Sequence, residues 1–208
     1  MRIEKINVDK KNISLAVWKI EEDIDALLSS LERPEFFLSD FEKITSVSRK
    51  REFLATRVLL KKMMGKELRI LHHASGKPYL ENCSHKISIS HSKDYVAILL
   101  HLTCEAGVDI EHISPRVLRI KHKFLSENEL KNLSKTDEAT HALVYWSAKE
   151  SIFKALGKEG VDFAQHLQIK PFKLQKEGIL FAKETTQNID MKLNYRILTD
   201  AVITWIII

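Results

Sequence analysis

Two segments of the chain place apolar residues at the three- and four-residue spacing of an amphipathic helix. Residues 52–67, EFLATRVLLKKMMGKE, can be laid over residues 144–159, VYWSAKESIFKALGKE, without a gap. Each segment carries a glycine, Gly65 or Gly157, where a left-handed residue would end a helix. The pattern predicts two similar helices that end at these glycines, the second of them capped at Thr136.

Strand-like runs follow each predicted helix. They are Leu68–His73, Lys86–Ser90 and Tyr95–Leu100 in the first half of the chain, and Leu167–Leu174, Ile179–Ala182, Met191–Leu198 and Ala201–Ile208 in the second. The repeated order predicts an α+β fold of two halves, residues 1–103 and residues 104–208. A duplication explains this order, and chance likeness between amphipathic helices is the alternative.

The segment GVDIE, residues 107–111, places two carboxylates on one side of a predicted strand. Because alternate side chains share a face, Asp109 and Glu111 point together with Cα atoms about 7 Å apart, while Val108 and Ile110 point the other way. Either the acidic face is open to water, or a hard cation such as Mg²⁺ lies between the carboxylates. The strand alone favours the solvated pair.

A third acid, Glu150, occupies an apolar position on the stripe of the second helix. A carboxylate on a buried stripe is costly unless it is paired or bound to a metal ion. Lys149 and Lys154 are close enough in sequence to neutralise Glu150, and a metal ion shared with the acids of GVDIE is the alternative. The helix alone leaves both interpretations open.

Basic and hydroxyl side chains supply candidate contacts for an anion. Arg57 interrupts the apolar stripe of the first helix, and its guanidinium suits a phosphate group. The turn Gly76-Lys77-Pro78 would present one lysine, and Ser90-His91-Ser92 follows the alternating strand that begins at Lys86. Each motif by itself is weak, and for His91 alone a hydrogen-bonding turn histidine is the better explanation.

The composition indicates which kind of partner and which cellular compartment to expect. With 33 Lys and Arg against 28 Asp and Glu, the formal charge is +5, which favours an anionic partner. The two cysteines, Cys83 and Cys104, have no disulfide-framework or zinc spacing, so a reducing compartment is expected. The start of the chain lacks the apolar core of a signal peptide, and its apolar tail is shorter than a membrane span. We expect a cytoplasmic protein without a membrane partner.

The order of the motifs resembles a known enzyme family. Gly76-Lys77-Pro78, Ser88-Ile89-Ser90-His91-Ser92, Gly107-Val108-Asp109-Ile110-Glu111 and Trp146-Ser147-Ala148-Lys149-Glu150-Ser151 with Lys154 stand in this order. Together they resemble the long, pseudo-dimeric class of 4′-phosphopantetheinyl transferases, the surfactin-synthetase-activating, Sfp-like class. The resemblance covers roughly residues 45–160.

This resemblance implies a fold and an activity. The fold is two pseudo-symmetric halves that form an intramolecular pseudo-dimer, each with a long helix packed on an antiparallel sheet. The activity is that of a holo-[acyl-carrier-protein] synthase, which moves the 4′-phosphopantetheine group of coenzyme A to a serine of an apo acyl or peptidyl carrier protein. Adenosine 3′,5′-bisphosphate is released, Mg²⁺ is required and the enzyme is a monomer.

Site residues are implied by the same resemblance, position by position. Asp109, Glu111 and Glu150 are the expected Mg²⁺ ligands, Glu150 is also the expected base, and Lys154 is expected to assist catalysis. The expected contacts to coenzyme A are Arg51, Arg57, Lys77, Pro78, Ser90, His91, Asp109 and Lys154. The carrier protein is expected to contact Lys121, Lys123 and an exposed Phe124, although this stretch could equally be a solvated connector.

Two other classes of protein compete with this interpretation. The positive charge suits a nucleic-acid-binding module, but the basic residues flank a carboxylate cluster and do not alternate with aromatic residues along one surface. A Mg²⁺-dependent phosphodiesterase or nuclease could use the same three acids, but it leaves the GKP and SHS motifs unexplained. We therefore expect no nucleic-acid partner.

Overall fold

The computed structural model describes residues 2–6 and 12–208, with side chains from residue 12 onward. The chain divides into an N-terminal unit, Met1–Glu105, and a C-terminal unit, Ala106–Ile208. The strands of the N-terminal unit are β1 (Arg2–Ile6), β2 (Ile13–Lys19), β3 (Ile70–His72), β4 (Pro78–Leu80), β5 (Lys86–Ser92) and β6 (Tyr95–His101). Its helices are α1 (Ile24–Ser29), α2 (Leu38–Glu42) and α3 (Val47–Met64).

The N-terminal unit packs helix α3 on an antiparallel sheet of order β1-β2-β6-β5. Ser46 caps α3 by accepting a hydrogen bond from the backbone N–H of Arg49, and Gly65 ends the helix with a φ of 70°. Leu54 and Val58 of α3 lie in one core with apolar residues of the sheet. The predicted helix end at Gly65 is thus confirmed, while β3 and β4 form a separate short hairpin.

The C-terminal unit contains the second long helix. Its strands are β7 (Ala106–His112), β8 (Leu167–Ile169), β9 (Glu177–Glu184), β10 (Ile189–Ile197) and β11 (Ala201–Ile207). Its helices are α4 (Glu127–Lys131), α5 (Glu138–Leu156) and α6 (Phe163–His166), and the 3-10 turns Pro115–Arg119 and Lys121–Lys123 connect β7 to α4. Helix α5 packs on an antiparallel sheet of order β7-β11-β10-β9-β8.

Helix α5 begins one residue later than the sequence predicts. Asp137, not Thr136, is the cap, because its side chain accepts from the backbone N–H of Thr140. Gly157 ends the helix with a φ of 61°, as predicted. Val144 and Ile152 are fully buried in one core with Leu193 of β10.

The two units share a local strand order. In each unit the strand before the long helix, β2 or β7, pairs antiparallel with the last strand, β6 or β11. That last strand in turn pairs with the strand before it, β5 or β10. The predicted α+β class, with a helix packed on an antiparallel sheet in each half, is confirmed.

Gly107 allows β7 to approach α5 closely. A Cβ atom at residue 107 would lie far inside van der Waals contact of the carbonyl oxygen of Ser151, and 2.9 Å from the backbone nitrogen of Ala155. Both atoms belong to the helix backbone and cannot rotate away. Glycine is therefore the residue that this helix–strand contact allows at the start of GVDIE.

We expect Gly107→Ala to destabilise the C-terminal unit strongly, by about 3 kcal/mol or more, because β7 must move away from α5. Gly65→Ala is the matched control: no atom lies within 4 Å of its Cβ position, so only the left-handed φ of 70° opposes alanine, at about 1 kcal/mol. Urea unfolding followed by circular dichroism measures both. Equal losses in the two variants would contradict this account of the contact.

Candidate functional site

The acids of GVDIE face helix α5. Asp109 is 3% exposed, so a solvated carboxylate pair is excluded for this residue. Its Oδ1 accepts a hydrogen bond from Nζ of Lys154 at 2.7 Å. The half-buried Glu111 accepts one from the indole Nε1 of Trp146 at 2.9 Å. Strand β7 and helix α5 therefore hold the two acids in different pairings, one with a cation and one with a neutral donor.

A buried group of hydroxyls fixes the helix against this part of the sheet. Thr204 of β11 lies directly opposite Asp109 in the strand register, and its Oγ1 donates to the carbonyl of Ser147 at 2.8 Å. Ser147 Oγ donates to the carbonyl of Asp109 at 3.3 Å, and Ser151 Oγ donates to that of Thr204 at 3.0 Å. These three hydroxyls are buried and their hydrogen bonds are satisfied. They therefore fix the position of α5 relative to Asp109.

Glu150 lies half-buried on α5, near both acids of β7. Burial, followed by the negative charge of Asp109, raises the pKa of Glu150 to about 7; Glu111 adds to this rise, and Lys154 opposes it. The three carboxylates therefore concentrate negative charge in one place. A pKa near neutrality also suits a carboxylate that must accept a proton at cellular pH.

Lys149 does not neutralise Glu150, although it is the preceding residue. Its Nζ is fully buried and bonds to Oε2 of Glu129 at 2.7 Å. It also donates to the carbonyls of Phe124, at 2.7 Å, and of Phe163, at 2.9 Å. The interpretation that Lys149 neutralises Glu150 is therefore wrong, because Lys149 pairs with Glu129, which is distant in the sequence.

The donor set suits a hard cation in its chemistry and charge. Asp109, Glu111 and Glu150 offer carboxylate oxygens, which Mg²⁺ prefers, and their mutual repulsion would be relieved by a cation. Within residues 12–208, no group of three His, Cys, Asp or Glu side chains is already arranged around a metal position. Two of the three acids instead take hydrogen bonds from Lys154 and Trp146.

An aromatic cluster borders Glu150. Trp146 and Phe153 lie one turn before and one turn after Glu150 on α5, and both rings pack on Phe163 of α6, at 5.6 and 5.7 Å between centroids. Phe124 meets Trp146 edge-on at 5.1 Å. The helical spacing puts Trp146 and Phe153 on the side of α5 that carries Glu150, where their rings would shield the carboxylate from water.

Arg57 of the N-terminal unit is partly committed to its own helix. Its Nη1 donates to the carbonyl of Phe53 at 2.9 Å, and the guanidinium lies 3.3 Å from the centre of the Phe53 ring. Burial lowers the pKa of Arg57 to about 10, so the group stays positive at neutral pH.

Arg49, which the sequence analysis did not select, is the arginine beside His91. Its Nη1 lies 2.8 Å from Nε2 of His91 and 2.7 Å from Oε2 of the buried Glu52. The predicted Arg51 instead donates to the carbonyl of Ile20 at 2.9 Å and faces Asp94 at 3.6 Å. The structure therefore does not bring Arg51 and His91 into one group.

The other predicted coenzyme A contacts lie around β4 and β5. Lys77 pairs with Glu105 at 2.6 Å, and Lys86 pairs with the second oxygen of the same carboxylate at 2.8 Å. Pro78 is half-buried at the start of β4, and Ser90 is buried within β5. The GKP lysine is thus held by an acid of its own unit.

The expected carrier contacts separate into buried and exposed residues. Phe124 is 1% exposed and belongs to the core, so the prediction of an exposed aromatic there is wrong. Lys121 forms an ion pair with Glu138 at 2.6 Å, while Lys123 is exposed. The apolar residue that this segment does expose is Ile120.

Comparison with known proteins identifies the class of the C-terminal unit. Residues 105–204 match the model of the 4′-phosphopantetheinyl transferase superfamily. The C-terminal unit therefore carries a domain of this superfamily, which implies a transferase enzyme that moves phosphopantetheine to carrier proteins. A comparison with curated proteins gives no match. No helix in the described part of the chain is long and apolar enough to cross a membrane.

The raised pKa of Glu150 predicts how stability depends on pH. The unfolded chain loses this proton near pH 4.5 and the folded protein near pH 7, so this group makes the protein less stable as pH rises between those values. With EDTA present, Glu150→Gln should gain stability over the parent protein between pH 4.5 and 7, by at most about 1.4 kcal/mol per pKa unit. Urea unfolding near pH 5 and near pH 8 measures the difference.

The exposed acid Asp190 of β10 offers the control, since Asp190→Asn should change stability little at either pH. If the difference between Glu150→Gln and the parent protein is the same at both pH values, the carboxyl has an ordinary pKa.

Proposed function

We propose that this protein transfers the 4′-phosphopantetheine group of coenzyme A to a serine of an apo carrier protein and releases adenosine 3′,5′-bisphosphate. It is an enzyme of the holo-[acyl-carrier-protein] synthase type, in the long, two-unit class. The observation that carries the proposal is the group formed by Asp109, Glu111, Glu150 and Lys154 inside the superfamily domain. The strand order shared by the two units supports the two-unit class.

The reaction exchanges one phosphorus–oxygen bond for another. The serine oxygen bonds to the phosphorus that carries the pantetheine arm, and the bond from this phosphorus to the departing nucleotide oxygen breaks. The serine proton passes to the carboxylate of Glu150, directly or through one water. Without a bound cation the pKa of Glu150 is about 7. Bound Mg²⁺ would lower this pKa, so that Glu150 would be ionised at neutral pH and able to accept the serine proton.

Asp109, Glu111 and Glu150 are the residues that would hold Mg²⁺. When bound, the ion would neutralise charge on the pyrophosphate of coenzyme A. Lys154 places an ammonium group on Oδ1 of Asp109, 2.7 Å away, and this group can bind the same pyrophosphate. Its positive charge then stabilises the leaving nucleotide as the bond to phosphorus breaks.

Arg49 and His91 are our candidates for the 3′-phosphate of coenzyme A. The carboxylate of Glu52 orients both side chains, at 2.7 Å from Arg49 Nη1 and 3.3 Å from His91 Nδ1. The Arg49 side chain is 58% exposed, so a phosphate group can reach it. Arg57, Lys77, Pro78 and Ser90 remain proposed contacts of the nucleotide, whereas Arg51 is committed to Ile20 and Asp94.

The segment after β7 is our candidate for docking the carrier protein. Its exposed residues include Arg116, Arg119, Ile120, His122 and Lys123. A basic surface around one apolar side chain complements an acidic helical protein that presents an apolar residue. Ile120 takes the role that the sequence assigned to Phe124, and Lys121 contributes through its pairing with Glu138.

Mass spectrometry of the carrier protein tests the proposal. Purified protein with Mg²⁺, coenzyme A and an apo acyl or peptidyl carrier should add one phosphopantetheine to the carrier. Asp109→Ala and Glu150→Ala should abolish transfer while circular dichroism shows a folded protein, because each removes a carboxylate that the chemistry requires. Asp190→Asn, the exposed acid on β10, is the matched control and should keep full activity.

Two results would contradict the proposal. If no carrier from a panel is modified while coenzyme A or nucleic acid is hydrolysed, the protein is a phosphodiesterase or nuclease. If Asp109→Ala or Glu150→Ala transfers at the parental rate, the carboxylate assignment is wrong.

Kinetics with coenzyme A and with 3′-dephospho-coenzyme A distinguish the roles of Arg49 and Arg51, the two arginines at issue on α3. Arg49→Ala should raise KM for coenzyme A by about tenfold or more and leave KM for the dephospho form unchanged, because only the former offers a 3′-phosphate. Arg51→Ala is the control and should not discriminate between the two substrates. Equal effects of Arg49→Ala on both substrates would place the 3′-phosphate elsewhere.

A further inference from the structure

Lys149 is a charged side chain with no contact to solvent. It is 0% exposed, and its three ammonium hydrogens match three acceptors, namely Glu129 Oε2 and the carbonyls of Phe124 and Phe163. The three acceptors come from the segment after β7, from α4 and from α6. One side chain of α5 therefore joins three separate pieces of the C-terminal unit.

Its partner Glu129 is equally buried and equally satisfied. Glu129 is 1% exposed; Oε2 also accepts from the backbone N–H of Ser126 at 2.8 Å, and Oε1 accepts from that of Ile169 at 2.8 Å. Glu129 thus completes the capping box of α4 and ties α4 to β8. The pair is an ordered network and not a chance contact.

Stability alone does not account for such a pair. Removing two charges from water costs as much as their attraction returns, and well-packed apolar residues of similar volume commonly hold a fold as well or better. A buried ion pair does, however, fix the groups around it more narrowly than apolar packing does, because hydrogen bonds are directional. The question is which groups the pair fixes.

Phe124 and Phe163, whose carbonyls accept hydrogen bonds from Lys149, also pack their rings against Trp146. Phe124 meets Trp146 at 5.1 Å, and Phe163 meets it at 5.6 Å. Trp146 in turn donates its indole N–H to Glu111 at 2.9 Å. A continuous set of contacts therefore leads from the Lys149 ammonium through two phenylalanines and the indole to the Glu111 carboxylate.

We propose that Lys149, through its pair with Glu129, is a positioning residue that sets the place of the Glu111 carboxylate relative to Glu150 by fixing the rings around Trp146. This inference rests on the proposed transfer reaction for its kinetic consequence, but not for its structural one. Lys149 itself touches no reacting group, since all three of its hydrogen bonds are within the protein.

The test uses the double variant Lys149→Met/Glu129→Leu in the full chain. Each single variant leaves one buried charge without its counter-ion and should lower thermal stability sharply. The double variant should recover part of that loss, because no buried charge remains, although the backbone groups that the pair satisfied lose these partners. Its kcat for phosphopantetheine transfer should nevertheless fall about ten- to a hundredfold, with KM for coenzyme A within about twofold of the parent.

An NMR measurement on the same variant does not depend on enzymatic activity. The chain has three tryptophans, so a ¹⁵N-labelled sample gives three indole N–H signals, and Trp146→Phe assigns the one bonded to Glu111. In the metal-free double variant this signal should shift and exchange faster with solvent, because the indole no longer holds its hydrogen bond. A folded double variant with parental kcat and an unchanged Trp146 signal would overturn the inference.

If the double variant fails to fold, Trp146→Phe tests whether the indole hydrogen bond to Glu111 matters for transfer. It keeps a ring between Phe124 and Phe163 but removes the donor to Glu111, so it should lower kcat in the same way with little loss of stability. Parental kcat in Trp146→Phe would overturn the route through the indole. If the parent protein transfers nothing, the proposed function fails, and the indole signal of the double variant still tests the positioning of Glu111.

Discussion

The close contact between helix α5 and the edge formed by β7 and β11 determines the candidate site. Gly107 removes the side chain that would keep the helix away, and Ser147, Ser151 and Thr204 join the two elements by buried hydrogen bonds. A Cβ atom at residue 107 would meet backbone atoms of Ser151 and Ala155, so the strand and the helix are in close contact here. Carboxylates on the strand and on the helix therefore influence each other directly.

At this contact, the negative charge of the carboxylates is only partly neutralised by the protein's own cations. Asp109 is buried and paired with Lys154, whereas Glu150 remains half-buried beside negative charge and has a pKa of about 7. Lys149, which could have balanced Glu150, pairs with Glu129 instead. The excess of negative charge is the property that suits a cation to this place, and a bound cation would in turn attract a phosphate-bearing substrate.

The sequence predicts those features that repeat with a regular period. The alternation in GVDIE identified β7, the helix stripe ending at Gly157 identified α5, and Glu150 stood out because it breaks that stripe. The run ISLAVWK, which forms β2, was missed because a short continuous apolar run fits a buried helix as well as a strand.

Pairings across long sequence separations could not be predicted. Nothing near Lys149 in the chain points to Glu129, twenty positions earlier, and one aromatic in a basic stretch gives no sign that Phe124 is buried. Arg49 and Arg51 differ by two positions, which places them about 200° apart around α3. Only the rotation of the helix about its axis decides which of them meets His91.

Proton release on Mg²⁺ binding tests most directly whether the three carboxylates form a cation site. Calorimetric titration of Mg²⁺ into the protein without coenzyme A at pH 7, in two buffers of different ionisation enthalpy, gives the number of protons released. With a pKa of about 7, Glu150 should release about half a proton per Mg²⁺ bound, and Glu150→Gln should release none. Mg²⁺ binding without proton release, or equal release from the variant, would contradict the account.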